Sequence, residues 1–170
     1  MAVEDEFDAF YRGTSGRLLR FAYGLTTNLA EAQDLVQEAY ARAWQRWGRV
    51  SGYDNPEGWL RLVVDRLATD SWRRLGVRRA HAASHRPPPP AGPPPDDVIV
   101  LVQALKTLPM AQRRALALHY LLDRSLAEIA QETGASLGTV KSWLSRGRAG
   151  LAAALGADLD TAVTGGSDGR

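Results

Sequence analysis

Residues 125–148 read SLAEIAQETGASLGTVKSWLSRGR, and this pattern predicts two short helices joined by a tight turn. Gly134 is suited to the turn, and Ser136 can cap the second helix. Two helices joined in this way form a helix-turn-helix, the motif whose second helix enters the major groove of DNA.

The two sides of this motif differ in chemistry. Small or branched apolar residues fall where the helices should cross closely: Ala130, Gly134, Val140 and Leu144. Polar and basic residues fall on the outer side, where Lys and Arg can reach phosphates or guanine edges. They are Thr139, Lys141, Ser142, Ser145, Arg146 and Arg148. A helical hairpin with an ordinary solvated basic face is the alternative, and the turn glycine, the cap and the small residues together favour the DNA-binding motif.

The composition is that of a folded globular protein, with 45% hydrophobic and 24% charged residues in a chain of 170. No apolar run reaches the roughly 20 residues of a membrane helix, and the start of the chain does not resemble a signal peptide. We therefore expect a cytoplasmic protein with no membrane insertion. The absence of cysteine excludes disulfides, thiol catalysis and the common structural zinc sites.

Prolines divide the chain, because seven of the nine lie between residues 87 and 95 and favour an extended polyproline linker. The apolar period is helical on both sides of this run. The predicted fold class is therefore all-α, with two small helical domains joined by a Pro-rich linker. We expect the first domain at residues 1–84, the linker at 85–97, a helix-turn-helix domain at 98–155 and a disordered tail at 156–170.

Local signals predict three helices in the first domain. The first is one long or broken helix, with Gly13 and Gly16 as its weak point. Asn28, with Glu three positions later, has the layout of a capping box and opens a second helix that we expect Gly48 to end. After a polar loop, Asn55 and Pro56 open the third.

The third helix runs towards a basic segment, residues 72–79, which read WRRLGVRR. An aromatic residue interleaved with arginines is typical of surfaces that stack bases and follow a nucleic-acid backbone. The alternative is a helix C-terminus whose cations complement the helix dipole. The net charge of +2 is too small to decide between them, so the local distribution of charge is the more informative signal.

Two stretches together resemble a known family. Residues 31–44, EAQDLVQEAYARAW, resemble the polymerase-binding helix of the extracytoplasmic-function (ECF) group of bacterial sigma factors. Leu108-Pro109 with Gln112-Arg113, then Glu128-Ile129-Ala130 and residues 138–142, resemble the promoter-binding second domain of that group. The resemblance covers about Phe7 to Leu155, and it is to the actinobacterial SigE-like members in particular.

The resemblance implies a non-enzymatic initiation factor that lets RNA polymerase find and open promoters. Its implied partners are core RNA polymerase, through the clamp coiled coil of the largest subunit and the beta flap, promoter DNA, and an anti-sigma factor. No metal or cofactor is implied.

The resemblance also assigns residues to three surfaces. Polymerase binding is assigned to Asp34, Gln37 and Glu38. Capture of the single-stranded minus-ten element, by the loop at residues 50–55 and the helix after it, is assigned to Tyr53, Asp54, Asn55, Arg66, Arg73 and Arg74. Binding of the minus-thirty-five duplex is assigned to Thr139, Lys141, Ser142, Trp143, Ser145, Arg146 and Arg148. Arg66 stands where the family usually has asparagine, and Trp143 where it usually has arginine, so both positions depart from the family pattern.

Two other functions are compatible with parts of the sequence. A conventional helix-turn-helix regulator would bind duplex DNA without polymerase, but it leaves the polar face around Asp34, Gln37 and Glu38 unexplained beyond simple solubility. A metal-dependent enzyme could use His81 and His85, which have the spacing of helix-borne ligands. The residues between them provide no base, and His119 is remote in sequence.

Overall fold

The computed structural model describes residues 2–74 and 96–164, with side chains for residues 2–71 and 96–156. Its secondary structure is entirely helical over these ranges, which confirms the predicted all-α class. The chain divides into two compact units, Met1–Pro93 and Pro94–Arg170. Residues 75–95, which include most of the predicted Pro-rich linker, lie outside the described residues. None of the described helices is long and apolar enough to cross a membrane.

The first unit is a bundle built from α1 (Val3–Thr26), α2 (Leu29–Gln45), the short α3 (Trp47–Val50) and α4 (Pro56–Arg74). α1, α2 and α4 pack against one another. Alanines line the inner side of α2, and because a methyl group takes little room they let the neighbouring helices come close. The buried core includes Leu18, Phe21, Ala22, Leu25, Ala32, Val36, Ala39, Ala43, Leu60, Val63, Val64 and Ala68.

α1 is continuous, although a break near Gly13 and Gly16 was one of the two expected outcomes. Each glycine in a helix interior costs about 1 kcal/mol relative to alanine. Burial of Leu18, Phe21 and Leu25 on the same helix outweighs that cost, since each large apolar side chain contributes roughly 1.5–3 kcal/mol. Tertiary packing therefore decides the length of this helix.

Asparagine caps open two of these helices, as predicted. Asn28 Oδ1 accepts the backbone N–H of Glu31 at 3.0 Å, and Asn55 Oδ1 accepts that of Gly58 at 2.9 Å. The box at Asn28 differs from the expected reciprocal form, because the Glu31 carboxylate accepts the hydroxyl of Ser71 at 2.7 Å. That hydrogen bond ties the start of α2 to α4.

α2 ends at Gln45, so the expectation that Gly48 ends it was wrong. Arg46 leaves the helical region at φ −120°, and a separate turn, α3, follows. The bend lets Trp47 and Val50 both enter the core. Trp44, which the periodicity also placed among the apolar positions, is 45% exposed, and its ring packs on Phe7 at a centroid distance of 5.1 Å.

The second unit contains α5 (Asp96–Leu105), α6 (Met110–Leu116), a π turn (Ala117–Leu121), α7 (Leu126–Thr133) and α8 (Leu137–Thr164). α8 packs against α5, α6 and α7. α8 also continues past residue 156, where we expected the disordered tail to begin. Residues 165–170 lie outside the described residues.

Arg113 explains the Leu108-Pro109 and Gln112-Arg113 pattern in physical terms. Its side chain is 2% exposed, and Nη2 donates to the carbonyls of Lys106 at 3.1 Å and Leu108 at 3.0 Å. These carbonyls lie in the turn between α5 and α6, outside both helices, so neither can be satisfied by a hydrogen bond within a helix. Burial lowers the pKa of Arg113 from its ordinary value. Arg113 therefore closes the turn between α5 and α6.

Two glycines of α8 allow it to lie directly on the helices before it. A Cβ at Gly147 would lie 2.7 Å from Leu116 Cδ1, and one at Gly150 would overlap Leu108 Cδ2. Real Cβ contacts are not this short, so a larger residue at either position forces the buried leucine to move. These glycines could not be identified from the sequence, because nothing in the local pattern shows which residue they face.

Gly13→Ala should raise the free energy of unfolding of the first unit by about 0.5–1 kcal/mol, since alanine restricts the unfolded chain and favours the helix. The position is open, because apart from the neighbouring residues and the nearby backbone of α1 no described atom lies within 4 Å of a Cβ added there. Chemical denaturation of the full chain measures the change. Gly147→Val is the contrasting variant and should destabilise the second unit by about 1–3 kcal/mol. A loss of stability in Gly13→Ala would contradict the open environment of this residue.

Candidate nucleic-acid and protein-binding surfaces

α7, its turn and the start of α8 form the predicted helix-turn-helix. Ser125 Oγ accepts the N–H of Glu128 at 3.1 Å, and Ser136 Oγ accepts that of Thr139 at 3.1 Å. Gly134 lies between the helices with φ +75°, the left-handed conformation that favours glycine. The predicted cap at Ser136 and the predicted turn residue therefore have the expected geometry, and the structure adds a second cap at Ser125.

The contact between α7 and α8 is made by larger residues than expected. Ile129, Val140 and Leu144 are buried, whereas Ala130 is half-buried and Gly134 is exposed. The expectation that Gly134 packs at the crossing was wrong, because a Cβ added there would meet no described atom within 4 Å beyond its two neighbours in the chain. Its contribution is backbone conformation alone.

The outer side of α8 carries most of the residues predicted to contact duplex DNA. Thr139, Lys141, Ser145, Arg146 and Arg148 are exposed, and Ser142 and Trp143 are half-buried. Lys141, Ser145 and Arg148 are separated by four and three residues, so they share one side of the helix. The Thr139 hydroxyl lies 2.8 Å from Ser136 Oγ and belongs to the capping arrangement. This surface has the shape and charge of a recognition helix.

The polar face predicted on α2 is exposed. Asp34, Gln37 and Glu38 all lie at the surface, and their spacing of three and four residues places them on one side of the helix. Glu38 forms an ion pair with Arg42, with 2.9 Å between Oε1 and Nε. Both side chains are about half exposed, so the pair contributes at most a few tenths of a kcal/mol to stability. The face is therefore available to a partner.

A buried hydrogen bond holds the back of α2 against α1. Thr14 Oγ1 donates to the Phe10 carbonyl at 2.7 Å and lies 2.6 Å from Tyr40 Oη. Because the threonine proton is used, Tyr40 is the donor to Thr14. Burial raises the pKa of Tyr40 to about 12. Rings of α1 and of Trp47 surround this hydrogen bond, among them Phe10, Tyr11 and Phe7.

The loop between α3 and α4 is only partly available for binding. Tyr53 and Asp54 are exposed, and the Tyr53 ring lies 6.3 Å from that of Trp59. Val50, at the start of the predicted loop, is buried in the core. Asn55 Oδ1 is held by the backbone of α4, so this oxygen serves as a helix cap. The loop therefore presents the exposed ring of Tyr53 to solvent, whereas Asn55 Oδ1 is used to cap α4.

The arginines of α4 fall into two groups. Arg66 is exposed on the side that also carries Leu62 and Trp59. Arg61 is 2% exposed, and its Nη1 lies 3.5 Å from Glu57 Oε1. Arg61 therefore belongs to the core, although it begins the arginine-rich part of the sequence. Arg73 and Arg74 form the end of α4, and their side chains lie outside the described residues.

Glu57 connects this buried arginine to α1. Its two carboxylate oxygens accept from Arg17 Nε at 2.8 Å and Nη2 at 3.1 Å. The arrangement of two arginines around one carboxylate fixes the first turn of α4 relative to α1. The loop that ends at Asn55 is thereby anchored at its C-terminal side.

The described residues contain no group of three or more His, Cys, Asp or Glu that could hold a metal ion. His119 Nδ1 lies 2.8 Å from the Arg124 carbonyl, a contact within the turn before α7. His81 and His85, the candidate ligands in the alternative of a metal-dependent enzyme, lie outside the described residues.

Comparison with known proteins places both surfaces in recognised domains. Residues 10–78 match the family described as Sigma-70 region 2, and residues 99–151 match the family described as Sigma-70, region 4. The first match contains the exposed face of α2, the loop and α4. The second contains the helix-turn-helix.

Similar individual proteins match over most of the chain. The RNA polymerase sigma-E factor of Streptomyces coelicolor is 34% identical over 158 residues, which is 91% of this chain and 89% of that protein. The ECF RNA polymerase sigma factor SigE of Mycolicibacterium smegmatis is 32% identical and covers 86% of this chain and 60% of that protein. A solved structure of the sigma factor RpoE with the anti-sigma factor NepR, from Bartonella quintana, matches with a TM-score of 0.69 and 25% identity, over 90% of this chain and 98% of that chain.

Tyr40→Phe should lower the free energy of unfolding by about 1 kcal/mol at pH 7, through loss of the hydrogen bond to Thr14. Because the folded pKa is raised, the phenol stabilises the fold fully below its ordinary pKa of about 10 and loses this contribution as the pH rises through 12. Relative to Tyr40→Phe, the wild-type protein should therefore lose roughly 1.4 kcal/mol by pH 11. Denaturation of both proteins at pH 7 to 11 measures this, and a constant difference would contradict the burial of the phenol.

Gly134→Ala should lower the free energy of unfolding of the second unit by about 1 kcal/mol or more, because alanine is strained at positive φ. Gly134→Asn is the matched variant and should cost less, since asparagine tolerates this conformation better. Thermal unfolding of the two variants measures the order. Equal stability of the alanine variant and the wild-type protein would show that the turn does not require a left-handed residue.

Proposed function

This chain belongs to the ECF group of bacterial RNA polymerase sigma factors, and we propose that it binds core polymerase with the first unit and reads promoter DNA with both units. The observation that carries the proposal is the presence of two exposed, chemically distinct surfaces in separate units. One is the acidic face of α2, and the other is the basic side of α8. A conventional helix-turn-helix regulator needs only the second of them.

The polymerase contact is assigned to Asp34, Gln37 and Glu38. Their side chains point away from the core of the first unit, because the opposite side of α2 is occupied by Ala32, Val36 and Ala39. A rigid helix presents these groups with little loss of conformational entropy on binding. The expected recipients are basic side chains of the clamp coiled coil of the largest polymerase subunit, and the second unit is expected to contact the beta flap.

The single-stranded minus-ten element is assigned to the loop and the exposed side of α4. Tyr53 offers a ring on which an unstacked base can lie, and Arg66 offers positive charge to the backbone. Asp54, Asn55, Arg73 and Arg74 complete this assignment. Holding one strand in this way would stabilise melted DNA through binding energy alone, so we propose that the chain catalyses no reaction.

The minus-thirty-five element is assigned to α8. Its first turns carry Thr139, Lys141 and Ser142, and the next carry Trp143, Ser145, Arg146 and Arg148. Residues near the start of a recognition helix reach base edges, and cations farther along reach phosphates. Trp143 would add apolar contact where the family usually has a polar one.

An anti-sigma factor is the third proposed partner. The similar protein from Bartonella quintana was solved in complex with one, NepR. The proposed place of action is the cytoplasm, where bacterial polymerase and its promoters are found.

Co-purification with sigma-free core polymerase, followed by transcription from a random promoter library, tests the proposal as a whole. Binding together with initiation at a selected set of sequences is the expected result. Failure to bind polymerase, with specific duplex binding by the free chain, would favour the conventional regulator.

Lys141→Ala with Arg146→Ala should weaken promoter binding of the assembled polymerase by about 10- to 100-fold and leave polymerase binding unchanged, because each lost contact costs about 1 kcal/mol or more. Asp34→Ala with Glu38→Ala should weaken polymerase binding and leave promoter binding by the assembled polymerase unchanged. Titration of labelled polymerase and labelled promoter DNA separates the two effects.

Matched controls exist on the same chain. Lys106→Ala removes an exposed cation outside the helix-turn-helix, and Glu4→Ala with Asp5→Ala removes two exposed acids of α1. Both controls should keep wild-type binding within about twofold. Unchanged transcription by both test variants would rule out the assigned surfaces.

A further inference from the structure

Tyr120 lies beside the basic side of α8, although its place in the sequence gives no sign of a binding role. It belongs to the π turn Ala117–Leu121 and is 50% exposed. Its ring packs edge-to-face on His119, with a centroid distance of 4.8 Å. π turns are rare and occur frequently at functional sites. An exposed tyrosine in such a turn therefore calls for a reason beyond core packing.

The hydroxyl of Tyr120 is hydrogen-bonded to a side chain of α8. Arg148 Nη1 donates to Tyr120 Oη at 3.1 Å, across 28 residues of sequence. A phenol that accepts a hydrogen bond keeps its own proton for another acceptor. The pair therefore offers the tyrosine O–H and the remaining guanidinium N–H groups side by side. Adjacent donors of this kind suit the oxygens of one phosphate.

The position of Arg148 along α8 is consistent with a phosphate contact. Arg148 lies seven residues after Lys141, which puts it on the same side of the helix and about 10 Å farther along its axis. The first turns of a recognition helix reach the bases, so a later turn on that side comes to the edge of the groove, where the backbone lies. Residues 149–156, the rest of α8 whose side chains are described, are alanine, glycine and leucine and carry no charge.

We propose that Tyr120 is a positioning residue for promoter binding, whose hydroxyl holds the Arg148 guanidinium against one phosphate beside the minus-thirty-five element. The inference rests on the proposed function, because it takes α8 as the helix that enters the major groove. An arginine held in place before binding loses less side-chain entropy when the phosphate arrives. Tyr120 thus extends the DNA-binding surface from the helix-turn-helix to the turn that precedes it.

Tyr120→Phe tests this role, because it keeps the ring and removes only the hydroxyl. The probe is a labelled promoter duplex enriched from the random library, bound by the full chain assembled with core polymerase at about 50 to 200 mM salt. Tyr120→Phe should weaken binding about three- to tenfold and leave the slope of log K against log salt unchanged, since the charge of Arg148 remains. Arg148→Ala should weaken binding further and make the slope shallower by about 0.9.

A double-variant cycle separates positioning from simple folding. When Arg148 is already alanine, Tyr120→Phe should change binding by less than about twofold, because its partner is absent. Tyr11→Phe on α1 is the matched control for an exposed tyrosine and should bind as the wild-type protein does. Wild-type affinity of Tyr120→Phe, or an equal loss in both backgrounds, would overturn the inference. Failure of the wild-type protein to select any promoter would instead overturn the proposed function on which the inference rests.

Discussion

The unsatisfied backbone groups at the ends of the helices are the constraint on which both units depend. Every helix leaves several N–H and C=O groups without intrahelical partners, and in this protein side chains satisfy them at most of the functionally important turns. Asn55 closes the loop before α4, Ser136 closes the turn before α8, and Arg113 closes the turn after α5. The two helices that carry candidate DNA-binding residues, α4 and α8, each begin directly after such a cap. The caps therefore set where the exposed residues are placed.

Close packing then turns these helices into rigid supports. Alanines on the inner side of α2 and glycines on the inner side of α8 bring neighbouring helices near, so the outer sides hold their residues at defined positions. In the first unit, the hydrogen bond between Tyr40 and Thr14 and the ion pairs of Glu57 add polar links between the same helices. Binding surfaces on rigid helices lose little entropy when a partner arrives, which suits a factor whose proposed work is done by binding energy.

Arginine shows how one residue type takes on different roles in this chain. Arg61 and Arg113 are buried and organise turns and helix ends, whereas Arg66, Arg146 and Arg148 are exposed and available to DNA. The difference comes from the neighbouring elements. Arg61 lies within ion-pair distance of Glu57, and Arg113 donates to the carbonyls of Lys106 and Leu108. In each case these partners offset the cost of removing the arginine's charge from water.

The sequence by itself determined the all-α class, the caps at Asn28, Asn55 and Ser136, and the turn at Gly134, because each depends on residues close together in the chain. It also determined the family resemblance, which rests on the residue patterns of two separate stretches. Only the tertiary structure decided that α1 continues through Gly13 and Gly16, that α2 ends at Gln45, and that Arg61 lies in the core. It also decided that Gly147 faces Leu116, that Gly150 faces Leu108, and that Arg148 donates a hydrogen bond to Tyr120. These outcomes depend on contacts between residues far apart in sequence. The free energy gained by packing such residues together outweighs the helix propensity of a single residue, which is worth about 1 kcal/mol.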